Sequence, residues 1–131
     1  DRTLTIETIP LKHKVPTCGF LFTEHHRDKE PRKRYAYCSD TAYREQIVEQ
    51  IAGVEVLFHE ATYTEKDADK CKKHTHSTAK QAAQIAKLAG AGKLVIGHFS
   101  AREDDHQVFL NEAREVFENT VLAVEKETIE L

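Results

Sequence analysis

Apolar positions along the chain follow two rhythms. Residues 3–9, 18–23, 34–38, 54–59, 93–98 and 120–124 are rich in β-branched and aromatic side chains and read as strands, with a short further run at 128–131. Between the later strands the period lengthens to that of a helix. Residues 42–52 place Ile47, Val48 and Ile51 on one face and stop at Gly53; residues 76–89 stop at Gly90; residues 105–117 carry Phe109, Ala113, Val116 and Phe117. Residues 64–73 are polar and weakly helical, and read as a mobile excursion above the sheet rim. Successive strands followed by alternating strand and helix give an α/β layered sheet. Val56-Leu57-Phe58 and Leu94-Val95-Ile96 are apolar enough to be central strands, and the small residues Ala82, Ala83 and Ala86 let a helix lie close against them.

Short polar motifs fall where these strands end: Tyr37-Cys38-Ser39-Asp40-Thr41, His59-Glu60-Ala61-Thr62 and Gly97-His98-Phe99-Ser100, with His76-Ser77-Thr78 opening a helix. Strand ends fix a backbone while projecting side chains into one rim, so this placement points to a shared site. Asp40 beside a helix start caps backbone N–H groups, and a carboxylate there also suits the bridging of two cations. His98 reads as a hydrogen-bonded rim residue or as a metal ligand. A contact from Glu60 to His76 would fix the imidazole tautomer and make His76 a proton donor to a leaving group. Ser77 and Thr78 read as helix caps, or as a phosphate contact at the helix start. His13, on the constrained segment between Pro10 and Pro16, can face the site or serve the turn. His25, His26, His74 and His106 read as surface histidines.

Composition narrows the class. A length of 131 residues suits a single domain over 1–131 with one core, and no apolar run approaches the roughly 18 residues that span a membrane. The first residues lack the pattern of a signal peptide, so a cytoplasmic protein is expected. Three cysteines without Cys-x-x-Cys spacing argue against a disulfide framework and a zinc knuckle, leaving Cys18, Cys38 and Cys71 as ordinary thiols. A net charge of −3 gives no overall basic field for nucleic acid. The charged run from Arg27 to Arg34 reads as a loop, either solvated or contacting phosphate.

Taken in order, the segments Pro10-Leu11-Lys12-His13-Lys14-Val15-Pro16, Tyr37-Cys38-Ser39-Asp40-Thr41, Leu57-Phe58-His59-Glu60-Ala61-Thr62, His76-Ser77-Thr78-Ala79 and Ile96-Gly97-His98-Phe99-Ser100-Ala101-Arg102 resemble the C-terminal half of the ribonuclease Z family. These are the transfer-RNA 3′-processing endonucleases of the metallo-β-lactamase superfamily. The HEAT and HST segments separate that family from other members of its superfamily. The resemblance implies the C-terminal half of an αββα sandwich, two zinc ions, a precursor tRNA substrate and a homodimer. It implies metal-ligand roles for Asp40 and His98, catalytic roles for His76, Glu60 and His59, and substrate contacts for Ser77, Thr78, Arg102 and His13. The chemistry it implies is attack by a zinc-activated hydroxide on the phosphodiester, leaving a 3′-hydroxyl on the tRNA.

Two departures qualify that likeness. The family's His-x-His-x-Asp-His signature occurs nowhere in this sequence. Asp40 and His98 cannot by themselves complete a four-ligand zinc site, so the chain is expected to be inactive alone and to associate with the missing half of the fold or as a homodimer. Between Phe22 and Tyr35 it has only a short charged stretch where the family commonly carries more sequence, and Glu103 follows Arg102 where an aromatic is usual. The competing readings are another phosphodiesterase of the superfamily and a non-catalytic α/β interaction module.

Overall fold

The computed structural model describes residues 2–131, and for 29–31 the backbone alone. Six strands form one sheet in chain order: β1 (Arg2–Pro10), β2 (Cys18–His26), β3 (Lys29–Cys38), β4 (Val56–Glu60), β5 (Lys93–Gly97) and β6 (Thr120–Leu122). β1, β2 and β3 run antiparallel, whereas β3, β4, β5 and β6 are parallel neighbours. Parallel neighbours need crossover connections. Those are α1 (Val48–Ile51) after a 3₁₀ turn at Glu45–Ile47, then α2 (Ala68–His74) and α3 (Ala79–Ala89), and finally α4 (Gln107–Arg114).

Side chains alternate across each strand, and the two faces differ. Leu21, Ala36, Cys38, Leu57, Leu94 and Ile96 lie on one face, buried with Ile47, Ile51, Ala82, Ala86 and Phe109 from the helices. Register puts Phe22, Tyr35 and Val56 together on the opposite face, and likewise Phe20, Tyr37, Phe58 and Val95. Tyr37 stacks on Phe58 with ring centroids 4.9 Å apart. Among the described residues no helix packs on this second face. Instead Val124, Ile129 and Leu131 close a cavity of about 440 Å³ against Phe22, Tyr35 and Phe58, and Lys33 Nζ donates to the Leu131 carbonyl at 2.8 Å.

α3 follows its sequence signals: Thr78 and Gln81 form a reciprocal capping box, Ala79, Ala82, Ala83 and Ala86 are fully buried, and Gly90 ends the helix at φ 64°. Other elements depart from the sequence reading. Residues 42–52 form only the 3₁₀ turn and α1, because the backbone is still extended at Arg44 (φ −145°, ψ 99°), with the amides of Thr41 and Ala42 tied to Glu60 Oε1 and the Lys12 carbonyl. Residues 76–78 stay outside α3, since Thr78 is extended (φ −85°, ψ 163°) and serves as its N-cap, while the amides of 76–78 go to the Cys71 carbonyl, Glu60 and the Gln81 side chain. The segment expected as a mobile excursion is a 3₁₀ turn (Glu65–Asp67) followed by α2, which buries Cys71 and ends at Thr75 with φ 60°. The charged run expected as a loop instead forms a hairpin, with His26 paired to Lys29 across Arg27 and Asp28. Residues 128–131 form no strand. Among the described residues no helix is long and apolar enough to cross a membrane.

Candidate metal and proton-transfer site

Four side chains converge where β3, β4 and β5 end. Asp40 lies just past β3, Glu60 closes β4, His98 follows β5, and His76 precedes α3; one donor atom from each lies within 4.8 Å of the others. The β4 to β5 pairing continues beyond the strands, through Ala61 N to the Gly97 carbonyl and Ser100 N to the Thr62 carbonyl, each at 2.9 Å. That continuation brings Thr62 alongside His98. A left-handed backbone at His98, φ 61°, and at Thr75, φ 60°, turns the chain at one site histidine and just before the other. Gly97 leaves little space for a side chain: a Cβ would lie 3.0 Å from the Phe58 ring and 3.2 Å from Ala123 Cβ, so these neighbours would have to shift.

Glu60 is fully buried and organises the group. Its Oε1 accepts from Thr41 N at 2.9 Å and His76 Nδ1 at 2.6 Å. Its Oε2 accepts from Thr62 Oγ1 at 2.6 Å, Ser77 N at 3.2 Å and Thr62 N at 3.3 Å. Both oxygens are thus saturated by N–H and O–H donors, which leaves Glu60 unsuited to bind a metal. His76 donates through Nδ1, and its Nε2 remains for other work.

Proton counting fixes the tautomer of His98. The Thr62 hydroxyl gives its single proton to Glu60, so it accepts the N–H of His98 Nδ1 at 3.0 Å. In neutral His98 the Nε2 lone pair then faces Asp40 Oδ1 at 3.1 Å, while Ser39 Oγ donates to the same oxygen at 2.9 Å. Two lone pairs at that separation repel unless a proton or a metal ion lies between them. Ligands at zinc bond lengths on adjacent corners of a tetrahedron stand about 3.3 Å apart, so Asp40 and His98 fit two positions around one ion. Burial pushes the Cys38 and Cys71 thiols up to about 12, Cys71 with help from nearby carboxylates including Glu60, so neither offers a thiolate at neutral pH.

The other expected site residues divide. His13 donates from Nδ1 to the Thr75 carbonyl at 2.9 Å, and its ring lies 5.2 Å from His76, which lies 5.4 Å from His98. The three imidazoles therefore form a row. Arg102 is exposed, on the wall of an adjoining cavity. Ser77 and Thr78 are not placed to touch a substrate. Both are fully buried, with Ser77 Oγ donating to the Thr41 carbonyl at 2.6 Å and Thr78 Oγ1 to Glu65 Oε1 at 2.7 Å. His59 also lies outside the convergent group. Its ring is fully buried, with Nδ1 donating to the Glu60 carbonyl at 2.8 Å and Nε2 without a partner, and burial holds its pKa below the ordinary value. Sequence reasoning missed Thr62, whose signal was a hydroxyl two positions beyond Glu60 at a strand end.

A family described as the beta-lactamase superfamily domain matches residues 1–99. The chain belongs to the β-lactamase superfamily. Among its relatives is the ribonuclease Z of Bacteroides fragilis, 41% identical over 174 aligned positions that include all of this chain and 57% of that protein. The chain thus spans little more than half the length of such relatives, and the alignment exceeds its 131 residues because they carry internal segments it lacks. Human tRNase Z, short form, superposes with TM-score 0.72 at 27% identity, covering 97% of this chain and 43% of that one. YhfI of Bacillus subtilis, a metallo-β-lactamase fold protein, gives TM-score 0.73 at 24% identity over 91% of this chain and 46% of its own. This member of the β-lactamase superfamily accordingly has the metallo-β-lactamase fold.

Proposed function

We propose that this chain supplies the proton-donating side and part of the metal site of an endoribonuclease that removes the 3′ trailer from precursor tRNA. The observation that carries the reading is the Glu60–His76 pair, held at 2.6 Å and facing Asp40 and His98. Likeness to proteins named ribonuclease Z supports the substrate.

Asp40 and His98 would hold zinc, which when bound supplies an activated water and neutralises phosphate charge. The work of the chain's own residues follows from their hydrogen bonds. Glu60 fixes the His76 ring through Nδ1–H and stabilises the imidazolium, so that Nε2–H points outward to protonate the leaving 3′-oxygen. Thr62 holds His98 with its Nε2 lone pair toward the metal position. His13, packed at a tilt beside His76 and tied to Thr75, limits the rotation of that ring. The remaining ligands and the water-activating groups come from a His-x-His-x-Asp-His segment in the other half of the fold, seated on the aromatic sheet face, and the assembled protein pairs as a homodimer.

Two measurements test the reading. Competition with a chelator should show weak zinc binding by this chain, lost in His98→Ala. In the complete enzyme His76→Ala should slow trailer removal by about 10²- to 10⁴-fold, the ordinary worth of a general acid. Unchanged cleavage by that variant would overturn the assignment of His76. Vigorous zinc-dependent cleavage by this chain alone, free of contaminating nuclease, would overturn the division of the site.

A further inference from the structure

We propose that the cavity next to the site, between α2 and the segment following His98, is a groove for the phosphate backbone of single-stranded RNA running to or from the cleavage centre. The inference rests on the ribonuclease reading and extends it to a part of the molecule that reading does not use.

The cavity measures about 610 Å³ and adjoins the site through Thr62, Tyr63 and Ser100. Its walls carry Lys66, Lys70, Lys73 and Arg102. The three lysines follow one another at four and three residues, which puts them on one side of the 3₁₀ turn and α2, while Cys71 is buried within the fold. Two carboxylates in the walls answer part of this charge: Glu103 lies 3.6 Å from Lys66, and Asp67 lies 3.4 Å from Lys70. Among the described residues Lys73 and Arg102 have no carboxylate partner. A positive excess is therefore concentrated here in a chain whose net charge is −3.

His74 lies on the same wall. Desolvation and then Lys14, Lys73, His76 and Arg102 hold its pKa below the ordinary value.

Shape and position select the ligand. From Lys66 to Lys73 the row of cations extends about 10 Å, more than one phosphate group can occupy, so it matches a chain of phosphates better than a single anion. Tyr63, whose ring lies edge-on to His76 at 6.5 Å, offers an aromatic surface at the boundary between groove and site. A strand whose scissile phosphate lay between His76 and His98 would carry its neighbouring phosphates past this wall. Fixing those phosphates would position the strand without reading its bases.

The test measures binding of an oligouridylate to this chain by fluorescence anisotropy across a series of KCl concentrations, in EDTA so that binding is read without cleavage. Lys70→Gln/Lys73→Gln should bind about tenfold more weakly at low salt and show a salt slope shallower by about 1.4, the release expected for two contacts with a single strand. Lys87→Gln, on the exposed side of α3, should change neither. Retained affinity and slope in the double variant would overturn the proposal. So would inorganic phosphate displacing the oligonucleotide at equal phosphate concentration, the behaviour of a single-anion pocket. Trailer removal by His76→Ala in the complete enzyme is read separately, so a failed groove and a failed ribonuclease reading give different results.

Discussion

On the helix-covered face of the sheet Leu57, Leu94 and Ile96 have no solvent exposure, whereas on the opposite face Leu4 and Ile6 are 58% and 56% exposed and Phe20 and Tyr37 nearly 40%. At the polar rim Glu60 is as buried as Leu57, and both its oxygens are saturated from within the chain. The contrast separates two kinds of completeness. This chain saturates the buried carboxylate of Glu60 without help, but on the second face Val124, Ile129 and Leu131 cover only part of the apolar surface and leave Leu4, Ile6, Phe20 and Tyr37 exposed. The hydrogen bonding that holds His76 is therefore local to this chain, whereas the exposed part of the aromatic face has the character of a surface that recruits a partner.

Substitutions on each face can break or sharpen that contrast. Glu60→Gln should have the largest effect, about 3–5 kcal/mol in urea unfolding, because an amide presents donors where Thr62, Ser77 and His76 also donate. An unfolding midpoint equal to that of the parent would mean that the network carries no stability. Leu57→Ala should cost about 2–5 kcal/mol by leaving a cavity under α3. His59→Asn should act through pH and by less. With its folded pKa lowered by burial, His59 takes up a proton only on unfolding, so stability is full above its ordinary value of 6.5 and declines as pH falls below that. The decline approaches about 1.4 kcal/mol per pH unit. His59→Asn, which keeps an N–H toward the Glu60 carbonyl, should flatten it when unfolding midpoints at pH 7.5 and 5.5 are compared. The smallest effect is expected on the open face. Phe20→Ser should change the stability of the chain by less than about 1 kcal/mol, yet reduce its self-association in light scattering. A large stability loss there would mean that the face is already covered.

The sequence made the strands and their polar ends legible because both are local signals. Asp40, Glu60, His76 and His98 could be assigned to one rim since each adjoins a strand end or the helix that returns from it. Helix starts were less legible. Arg44 and Thr78 take extended backbone angles where the apolar period suggests helix, and the bonds from Thr41 N and Ser77 N to Glu60, across 19 and 17 residues, are long-range constraints that no local pattern announces. α2 escaped notice because it buries only Cys71, too little to form an apolar stripe. The hairpin tip escaped because Arg27 and Asp28 lack the Gly or Asn that usually marks a two-residue turn. His59 and Glu60 illustrate the same limit: adjacent in sequence, they take different parts, since one is shut in the core while the other holds His76 at the rim.

The tight connection between β2 and β3 gives the scaffold a place to grow. Its tip lies at the start of β3, about 30 Å along that ten-residue strand from the end that leads to Asp40. Lengthening a flexible loop there costs only about 0.6 kcal/mol for each doubling, and it would disturb no bond to Glu60. An appendage for gripping a larger substrate can thus be grafted on or pruned away at one edge while the chemistry at the other is inherited intact. Reach and reactivity are separable traits in this fold, joined by a single strand.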